Sequence, residues 1–347
     1  EELVALGPAH GIEFHVFYGQ VPREWEARGD SAELGGAVPL RTRFVRVGGR
    51  DLIVRDLGAL TGSGPWDLVV FEQAVRNLET YWYLLTRPRS AVAFWGHGRT
   101  YTKHVSRSQE LLKQWLTRRG RWFFAYTAGG KDAVVRAGYP ADRVSVVWNA
   151  VVSEATREGV RAEARRTVLI LGALDQTKRL ELVFDVLDRV RVEVPTVEAV
   201  FAGDGPQREL VTEFAASRSW VEVLGRVDGE RKATALAEAA VLLNPGRVGL
   251  VAVDSLASGV PMVASRWEFH APEFEYLEHE VNSLIVPDDA RSLASATTSL
   301  LQNSELLSSL RAGCHASTES LSIENMARNF ASGVAEALRR QHLEQHG

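Results

Sequence analysis

Along this 347-residue chain, short apolar runs alternate with stretches whose apolar residues recur every three or four positions. In the second half the alternation is regular. Thr167–Leu171, Val197–Ala202, Val221–Leu224, Val241–Leu243, Met262–Ala264 and Ser283–Val286 read as strands. Leu180–Val192, Gln207–Ala216, Arg231–Ala237, Leu250–Ser258, Arg291–Gln302 and Ser304–Ala316 read as the helices between and after them. The first half repeats the scheme with strands at Ile12–Tyr18, Asp67–Phe71, Ala91–Trp95, Trp122–Tyr126 and Val144–Val147, and a hairpin over Val45–Val54 that turns at Gly48-Gly49. Strands alternating with helices, twice over, predict an α/β protein of two Rossmann-like, doubly wound parallel-sheet domains facing a cleft. The first domain is expected over residues 1–152, a polar linker over 153–166, the second domain over 167–321, and a last amphipathic helix over 322–347. Leu3–Gly7 reads as a helix end, which leads to the expectation that a first strand and loop of that domain are missing ahead of it.

Composition narrows the class. With 45% hydrophobic and 24% charged residues the chain can bury two ordinary cores. The net charge of −4 gives no nucleic-acid signal, yet the halves differ: 20 Lys+Arg against 15 Asp+Glu in residues 1–150, and 20 against 29 in the remainder. One cysteine, Cys314, excludes an intrachain disulfide and fits a reducing compartment, so a cytoplasmic location is expected. No apolar run reaches the length of a membrane span. There is no Gly-x-x-x-x-Gly-Lys-Ser/Thr loop, no Cys/His metal spacing and no Gly-x-Ser-x-Gly elbow.

The chemistry concentrates in Val241–Ser265. An apolar strand enters a Pro-Gly loop, a helix follows from Leu250, and Ser-Gly-Val-Pro stops it before the next strand. Such a loop leaves backbone N–H groups facing the space above the sheet, and Gly246 and Gly249 let an anion approach them. Asp254 lies about one helical turn in. The arrangement suits a diphosphate carrying a ribose.

This segment resembles the donor-site segment of retaining GT-B glycosyltransferases of family 4, the glycosyl transferases group 1, which use nucleotide sugars. Gly249-Leu250 matches the family's Gly-Leu, and Asp254 stands at its second acidic position, while the first falls on Gly246. Gly203-Asp204-Gly205-Pro206 matches the family's Gly-Asp-Gly-Pro turn. In Gly172-Ala173-Leu174, followed by Lys178, the lysine matches and Ala173 replaces the usual arginine. The resemblance implies a metal-independent transfer of a sugar from a nucleoside diphosphate, UDP or GDP, to an acceptor hydroxyl on a glycan, a lipid-linked acceptor or a small molecule. It implies no cofactor, the nucleotide sugar being a substrate. Lys178 and the N–H groups of Gly249 and Leu250 would stabilise the leaving diphosphate, and Gly172, Gly203 and Gly205 would line it. Arg226-Val227 would meet the base, Asp254 would bind the ribose, and Arg247 or Arg179 would replace the missing cation. The first domain would face the acceptor, and the last helix would cross back onto it. A non-catalytic nucleotide-sugar-binding protein of the same shape, or a sugar-nucleotide epimerase, is the alternative.

Several residues carry two readings. Lys178 alone could be a solvated lysine. His97, in Phe94-Trp95-Gly96-His97-Gly98 at a strand end, either positions the reacting sugar or makes a structural hydrogen bond. Glu72 follows a strand end and serves the substrate or a helix N-terminus. His270 and Glu273, in a Pro-Glu segment ahead of Asn282, are acceptor or sugar contacts. The stretch 99–121 is rich in Lys and Arg, with Glu110 its one acidic residue. It is a packed helix with a solvated face, or a peripheral contact at the inner membrane face.

Overall fold

The structure, a computed structural model, describes residues 1–20, 35–48, 50–87, 92–101, 106–150, 166–318 and 321–346. Gly49 of the hairpin turn, Ala91, residues 102–105 of the basic stretch and residues 153–165 of the expected linker lie outside the described residues. The chain forms two compact units: Glu1–Thr100, His104–Trp148 and Glu324–Gly347 make the first, and Tyr101–Lys103 with Asn149–Ile323 make the second.

Unit 1 begins with helix α1 (Glu2–Leu6), the parallel pair β1 (Phe17–Gly19) and β2 (Val38–Leu40), and the antiparallel hairpin β3 (Thr42–Val47) and β4 (Arg50–Arg55). After α2 (Gly58–Gly62) come β5 (Val69–Glu72), α3 (Leu78–Thr86), β6 (Val92–Gly96), α4 (Arg107–Thr117), β7 (Trp122–Ala125), α5 (Ala128–Arg136) and β8 (Val144–Val146). Strands β5-β6-β7-β8 form one parallel sheet in that order. Both its faces are covered, so its strands are apolar apart from Glu72 at the end of β5 and Ser145 in β8. Val92, Phe94, Phe123 and Ala125 point into one core, and Ala93, Trp122 and Phe124 into the other.

The strand expected over Ile12–Tyr18 is ladder-bonded only from Phe17. Ile12 and Phe14 do pack into a core, but among the described residues no neighbouring strand pairs with them. Alternation sets burial; it does not supply a partner strand.

Unit 2 contains β9 (Thr167–Leu171), α6 (Leu180–Glu193), β10 (Glu198–Ala202), α7 (Arg208–Ala216), β11 (Val221–Gly225), α8 (Gly229–Glu238), β12 (Val241–Asn244), α9 (Val251–Ala257), β13 (Met262–Ser265), β14 (Ser283–Val286), α10 (Ala290–Gln302) and α11 (Ser304–Thr318). The sheet runs β11-β10-β9-β12-β13-β14, all parallel. That is the 3-2-1-4-5-6 order of a doubly wound nucleotide-binding sheet, and it fixes where a ligand sits. Val168, Ile170, Leu187, Phe201 and Leu243 are fully buried in its main core. Cys314 is buried on α11, its thiol donating to the Asn282 carbonyl, and burial pushes its pKa up to about 12. It is an inert core group.

The last helix, α12 (Ile323–His346), covers the second core of unit 1 with Phe330, Val334 and Ala337, a three-and-four spacing. Phe330 stacks on Phe124 at 4.2 Å. A side chain at Gly333 would meet Ser145 Oγ at 2.5 Å, so glycine permits the close approach of α12 to the sheet. Among the described residues no helix is long and apolar enough to cross a membrane.

Candidate functional site

In unit 2 the chain leaves the central strand β9 toward β10 on one side and later returns to β12 on the other. Above the carboxyl ends of β9 and β12 the connections diverge, and the crevice left there is where such sheets bind ligands. The turns around it are laced backbone to backbone. Gly172 N–H donates to the Ala202 carbonyl at 3.0 Å, Gly203 N–H to the Gly225 carbonyl at 2.7 Å, and Leu174 N–H to the Asp204 carbonyl at 3.0 Å. Gly172 has φ +115°, and Gly203 has no room for a side chain, since a Cβ would lie 1.9 Å from the Gly172 carbonyl oxygen. A Cβ on Gly205 would meet the Leu174 carbonyl oxygen at 2.5 Å. The Gly-Asp-Gly-Pro turn is therefore a packing requirement of this crevice. Asp204 turns away from it, accepting Gly205 N–H and pairing with Arg208 at 3.0 Å.

Lys178 closes the floor. It ends a single 3-10 turn, Gln176–Lys178, capped by Asp175, whose side chain accepts Thr177 N–H. The ammonium is 6% exposed and donates to the Leu171 carbonyl at 2.7 Å and to Asn244 Oδ1 at 3.4 Å. Both partners are strand ends at the divergence point, the last residues of β9 and β12. Among the described residues no carboxylate pairs with it. Burial pulls its pKa from lysine's ordinary 10.5 down to about 8, against the weaker pull of Asp175. That difference corresponds to about 3 kcal/mol of uncompensated charge burial. A buried cation left this way is stabilised by whatever anion enters the crevice.

The loop after β12 completes the wall, and bonds at Pro245, Arg247 and Val248 hold its course. The Pro245 carbonyl accepts from Ser265 Oγ at 2.8 Å and Arg179 at 3.2 Å. Arg247 N–H donates to the Thr177 carbonyl, and its own carbonyl accepts from Asn244 Nδ2. Val248 is held at both ends, by His270 and by Ala271 N–H. The N–H groups of Gly249 and Leu250, among the described residues, have no acceptor, and they precede α9. Gly246 is buried, and a Cβ there would lie 2.1 Å from the Thr177 carbonyl oxygen, so no carboxylate can stand at this position.

Asp254, on α9, is paired with Lys232 of α8 at 2.8 Å. Nothing in the sequence pattern singled out Lys232, because the pairing joins two helices. Glu273 is buried, accepts Asn149 Nδ2 at 2.8 Å through Oε1, and its Oε2 lies 4.0 Å from where a Gly249 Cβ would be. The structure thus brings Lys178, Gly172, Gly246, Gly249 and Glu273 to one region. Arg226 and Val227 follow β11 at the surface, Arg226 facing Asp228 at 3.9 Å. Arg179 is not a spare cation. Its guanidinium pairs with Asp288 at 2.5 Å and lies over Trp267. His270 is 5% exposed with both ring nitrogens bonded internally, which takes it out of direct contact with a substrate.

The remaining candidates belong to unit 1. His97 follows β6, stacks beside Tyr126 at 4.5 Å, and sits ahead of Gly98, whose φ is +75°. Its edge is exposed, yet the surrounding protein strips water from the ring and the Lys113 ammonium repels a proton, so its pKa falls to about 4. The turn is held by Gln73, a buried side chain the sequence reading missed: Gly98 N–H donates to its Oε1 at 3.0 Å, and its Nε2 donates to Thr117 Oγ1 at 2.5 Å. Glu72 ends β5, accepts weakly from Asn77 Nδ2 at 3.4 Å and lies 4.0 Å from Arg55, a local role on the hairpin side of the sheet. Among the described residues no group of three or more His, Cys, Asp or Glu is placed to hold a metal ion.

Residues 165–303, which hold the whole crevice, match the family of glycosyl transferases group 1. The phosphatidyl-myo-inositol mannosyltransferase of Mycobacterium leprae is 30% identical over 146 residues, 41% of this chain and 38% of that protein. A sulfoquinovosyl transferase of Arabidopsis thaliana is 28% identical over 193 residues, 51% of this chain and 36% of that protein. The chain therefore matches under half the length of these relatives. Among solved structures, Anabaena HepE in complex with UDP and glucose superposes with a TM-score of 0.63 at 15% identity, covering 96% of this chain and 94% of its own. The galactosyltransferase WaaB of the lipopolysaccharide outer core gives 0.59 at 13% identity, covering 80% and 76%. The doubly wound sheet of unit 2 and its Lys178 crevice thus lie in a glycosyl transferases group 1 domain over residues 165–303, and the chain has the GT-B fold of these solved structures.

Proposed function

We propose that this protein is a retaining glycosyltransferase that moves a sugar from a nucleoside diphosphate to an acceptor hydroxyl without a metal ion. The observation that carries the reading is the buried Lys178 at the divergence of β9 and β12, which among the described residues has no carboxylate partner, on the same side as the Gly249 and Leu250 N–H groups, which among those residues have no acceptor. The β-phosphate occupies the crevice and takes the charge of Lys178 and the helix-start N–H groups, which strengthen as the sugar–phosphate bond breaks. The bond from the anomeric carbon to the phosphate oxygen breaks, the bond to the acceptor oxygen forms on the same face, and the acceptor proton passes to the departing phosphate. Asp254 binds the ribose, Gly172, Gly203 and Gly205 line the diphosphate, and the Arg226-Val227 backbone meets the base. Glu273 supplies the sugar-facing carboxylate that Gly246 cannot carry. His97, neutral at pH 7, offers a sugar hydroxyl an uncharged hydrogen bond. The UDP and glucose named for HepE support a uridine nucleotide.

The test is nucleotide binding by calorimetry on wild type and Lys178→Met, with and without EDTA. A nucleoside diphosphate is expected to bind wild type, to lose about tenfold or more in Lys178→Met, and to be indifferent to EDTA. Since the ammonium must be charged and its free pKa is about 8, affinity holds below pH 8 and weakens as pH rises above it, only in wild type. Absence of binding by every nucleotide overturns the reading.

A second reading concerns unit 1. On α4, Leu111 is 52% and Trp115 41% exposed, with Leu112 beside them and Arg107, Arg118 and Arg119 around the stripe. Arg119 lies over the Trp115 ring at 4.7 Å. We propose that this face rests on an anionic lipid surface, as peripheral amphipathic helices do. The lipid named as substrate of the mycobacterial relative fits a lipid-linked acceptor.

A further inference from the structure

The loop from Pro245 to Leu250 presents its free N–H groups only if Val248 stays where it is, two residues ahead of Leu250. One bond to Val248 N–H comes from outside the local backbone: it donates to His270 Nδ1 at 3.1 Å. The opposite ring nitrogen, Nε2, is 2.9 Å from the Ser265 carbonyl, an acceptor, so it carries the proton. Ser265 in turn donates its hydroxyl to the Pro245 carbonyl at 2.8 Å. The imidazole therefore bridges the end of β13 to the middle of the loop, with Phe274 stacked on it at 3.9 Å and Trp267 edge-on at 6.0 Å. Both bonds exist together only in the neutral ring with Nε2–H. A doubly protonated ring would aim a donor at the Val248 N–H donor.

We propose that His270 is the positioning residue of the diphosphate loop, a latch that holds Val248 as the neutral Nε2–H tautomer and lets go when protonated. This rests on the donor-site reading of the same loop. The charged groups that act on the ring are Asp288 and Arg179, which are paired with each other, while Arg266, Glu268 and Glu273 lie within four residues of it along the chain. Burial lowers the pKa of His270 more than its hydrogen bond to Ser265 and the nearby Asp288 raise it, so the latch is closed at neutral pH and opens on acidification.

The experiment uses the full chain and three proteins. His270→Phe keeps the stack on Phe274 and removes both bonds. His270→Asn can keep the acceptor for Val248 N–H through Oδ1. Exchange of the Val248 amide, followed by hydrogen–deuterium exchange, reads the latch without any ligand. Binding of the nucleoside diphosphate preferred by wild type reads its consequence. Expected are faster Val248 exchange and about tenfold weaker binding in His270→Phe, near-wild-type values in His270→Asn, and a loss of affinity on acidification that is larger in wild type than in His270→Asn. If His270→Phe does not fold, the wild-type and His270→Asn profiles decide alone. Equal pH profiles in those two, or an unprotected Val248 amide in wild type, overturn the latch. A protected Val248 amide in a wild type that binds no nucleotide upholds the latch and sinks the donor reading instead.

Discussion

Both units lace the carboxyl ends of their parallel strands with main-chain bonds, and unit 1 adds a buried side chain where unit 2 relies on glycine. In unit 2 the turns after β9, β10 and β11 hold one another through main-chain bonds, Gly172 to Ala202, Leu174 to Asp204 and Gly203 to Gly225. In unit 1 main-chain bonds also join Gln73 to Trp95, Tyr126 to Gly96 and Val147 to Ala125, and the turn after β6 is held in addition by the Gln73 side chain, which accepts from Gly98 N–H and donates to Thr117. Backbone lacing demands glycine wherever two chains touch, and it leaves a crevice whose walls are N–H groups and carbonyls. Side-chain tying demands one buried amide and leaves an imidazole, His97, as the chemistry of the turn. The outer surfaces differ as well: unit 1 exposes Trp82, Leu85, Leu111, Leu112 and Trp115, whereas among the described residues the large apolar ones unit 2 exposes are Val192, Leu250 and Val281.

If lacing is what builds unit 2, the largest effect belongs to Gly203→Ala. A Cβ 1.9 Å from the Gly172 carbonyl oxygen has no soft neighbour to displace, because the obstacle is main chain. Destabilisation of about 3 kcal/mol is expected from such overpacking, read as a shift of the unit 2 transition in urea. Gly62→Ala in unit 1, which meets nothing within 4 Å inside α2, is the matched control. It should be neutral or stabilising by about 0.5 kcal/mol. Equal shifts for the two would break the comparison.

The surface difference is sharpened by vesicle partitioning. Wild type is expected to bind vesicles of phosphatidylglycerol and to ignore phosphatidylcholine, and the double substitution Leu111→Ser, Trp115→Ser should weaken that binding about tenfold. A weakened response to added salt in Arg107→Gln or Arg119→Gln would show the electrostatic share. Equal partitioning of wild type and double variant would return α4 to the status of a solvated helix.

What the sequence disclosed follows the same division. The sheet of unit 2 was legible strand by strand, because its six strands alternate with helices along the sequence and its turns carry obligatory glycines. The family resemblance pointed to Lys178 and the Gly249-Leu250 loop; taken alone, Lys178 would not have stood out. His270 was legible as a histidine near the site but not as a latch, since its partners, Val248 and Ser265, are backbone atoms far apart in the pattern. Lys232, Gln73 and Asn244 left no signal: each acts through a side-chain contact whose partner is set by the fold. In unit 1 the alternation at Ile12–Val16 spoke of burial and was silent on pairing, so the strand there was read too long.

The smallest effect concerns His97 and tests whether the unit 1 turn is a working site or a solvated one. An accessible histidine in water titrates near 6.5, whereas crowding by the turn and the Lys113 ammonium hold His97 at about 4. The sign is definite. The native ring stays neutral while the unfolded ring takes a proton, so its contribution to stability is lost as pH falls from about 6.5 toward 4 and changes no further below that. In NMR, the His97 ring protons should stay flat from pH 8 to pH 5, and in Lys113→Gln the midpoint should rise. Gln73→Leu, which frees the turn, should raise it further toward 6.5 by letting water reach the ring. A midpoint near 6.5 in wild type would mean that the edge exposure of His97 governs it. The turn would then be loose, and the neutral hydrogen-bonding role proposed for this residue would lose its physical basis.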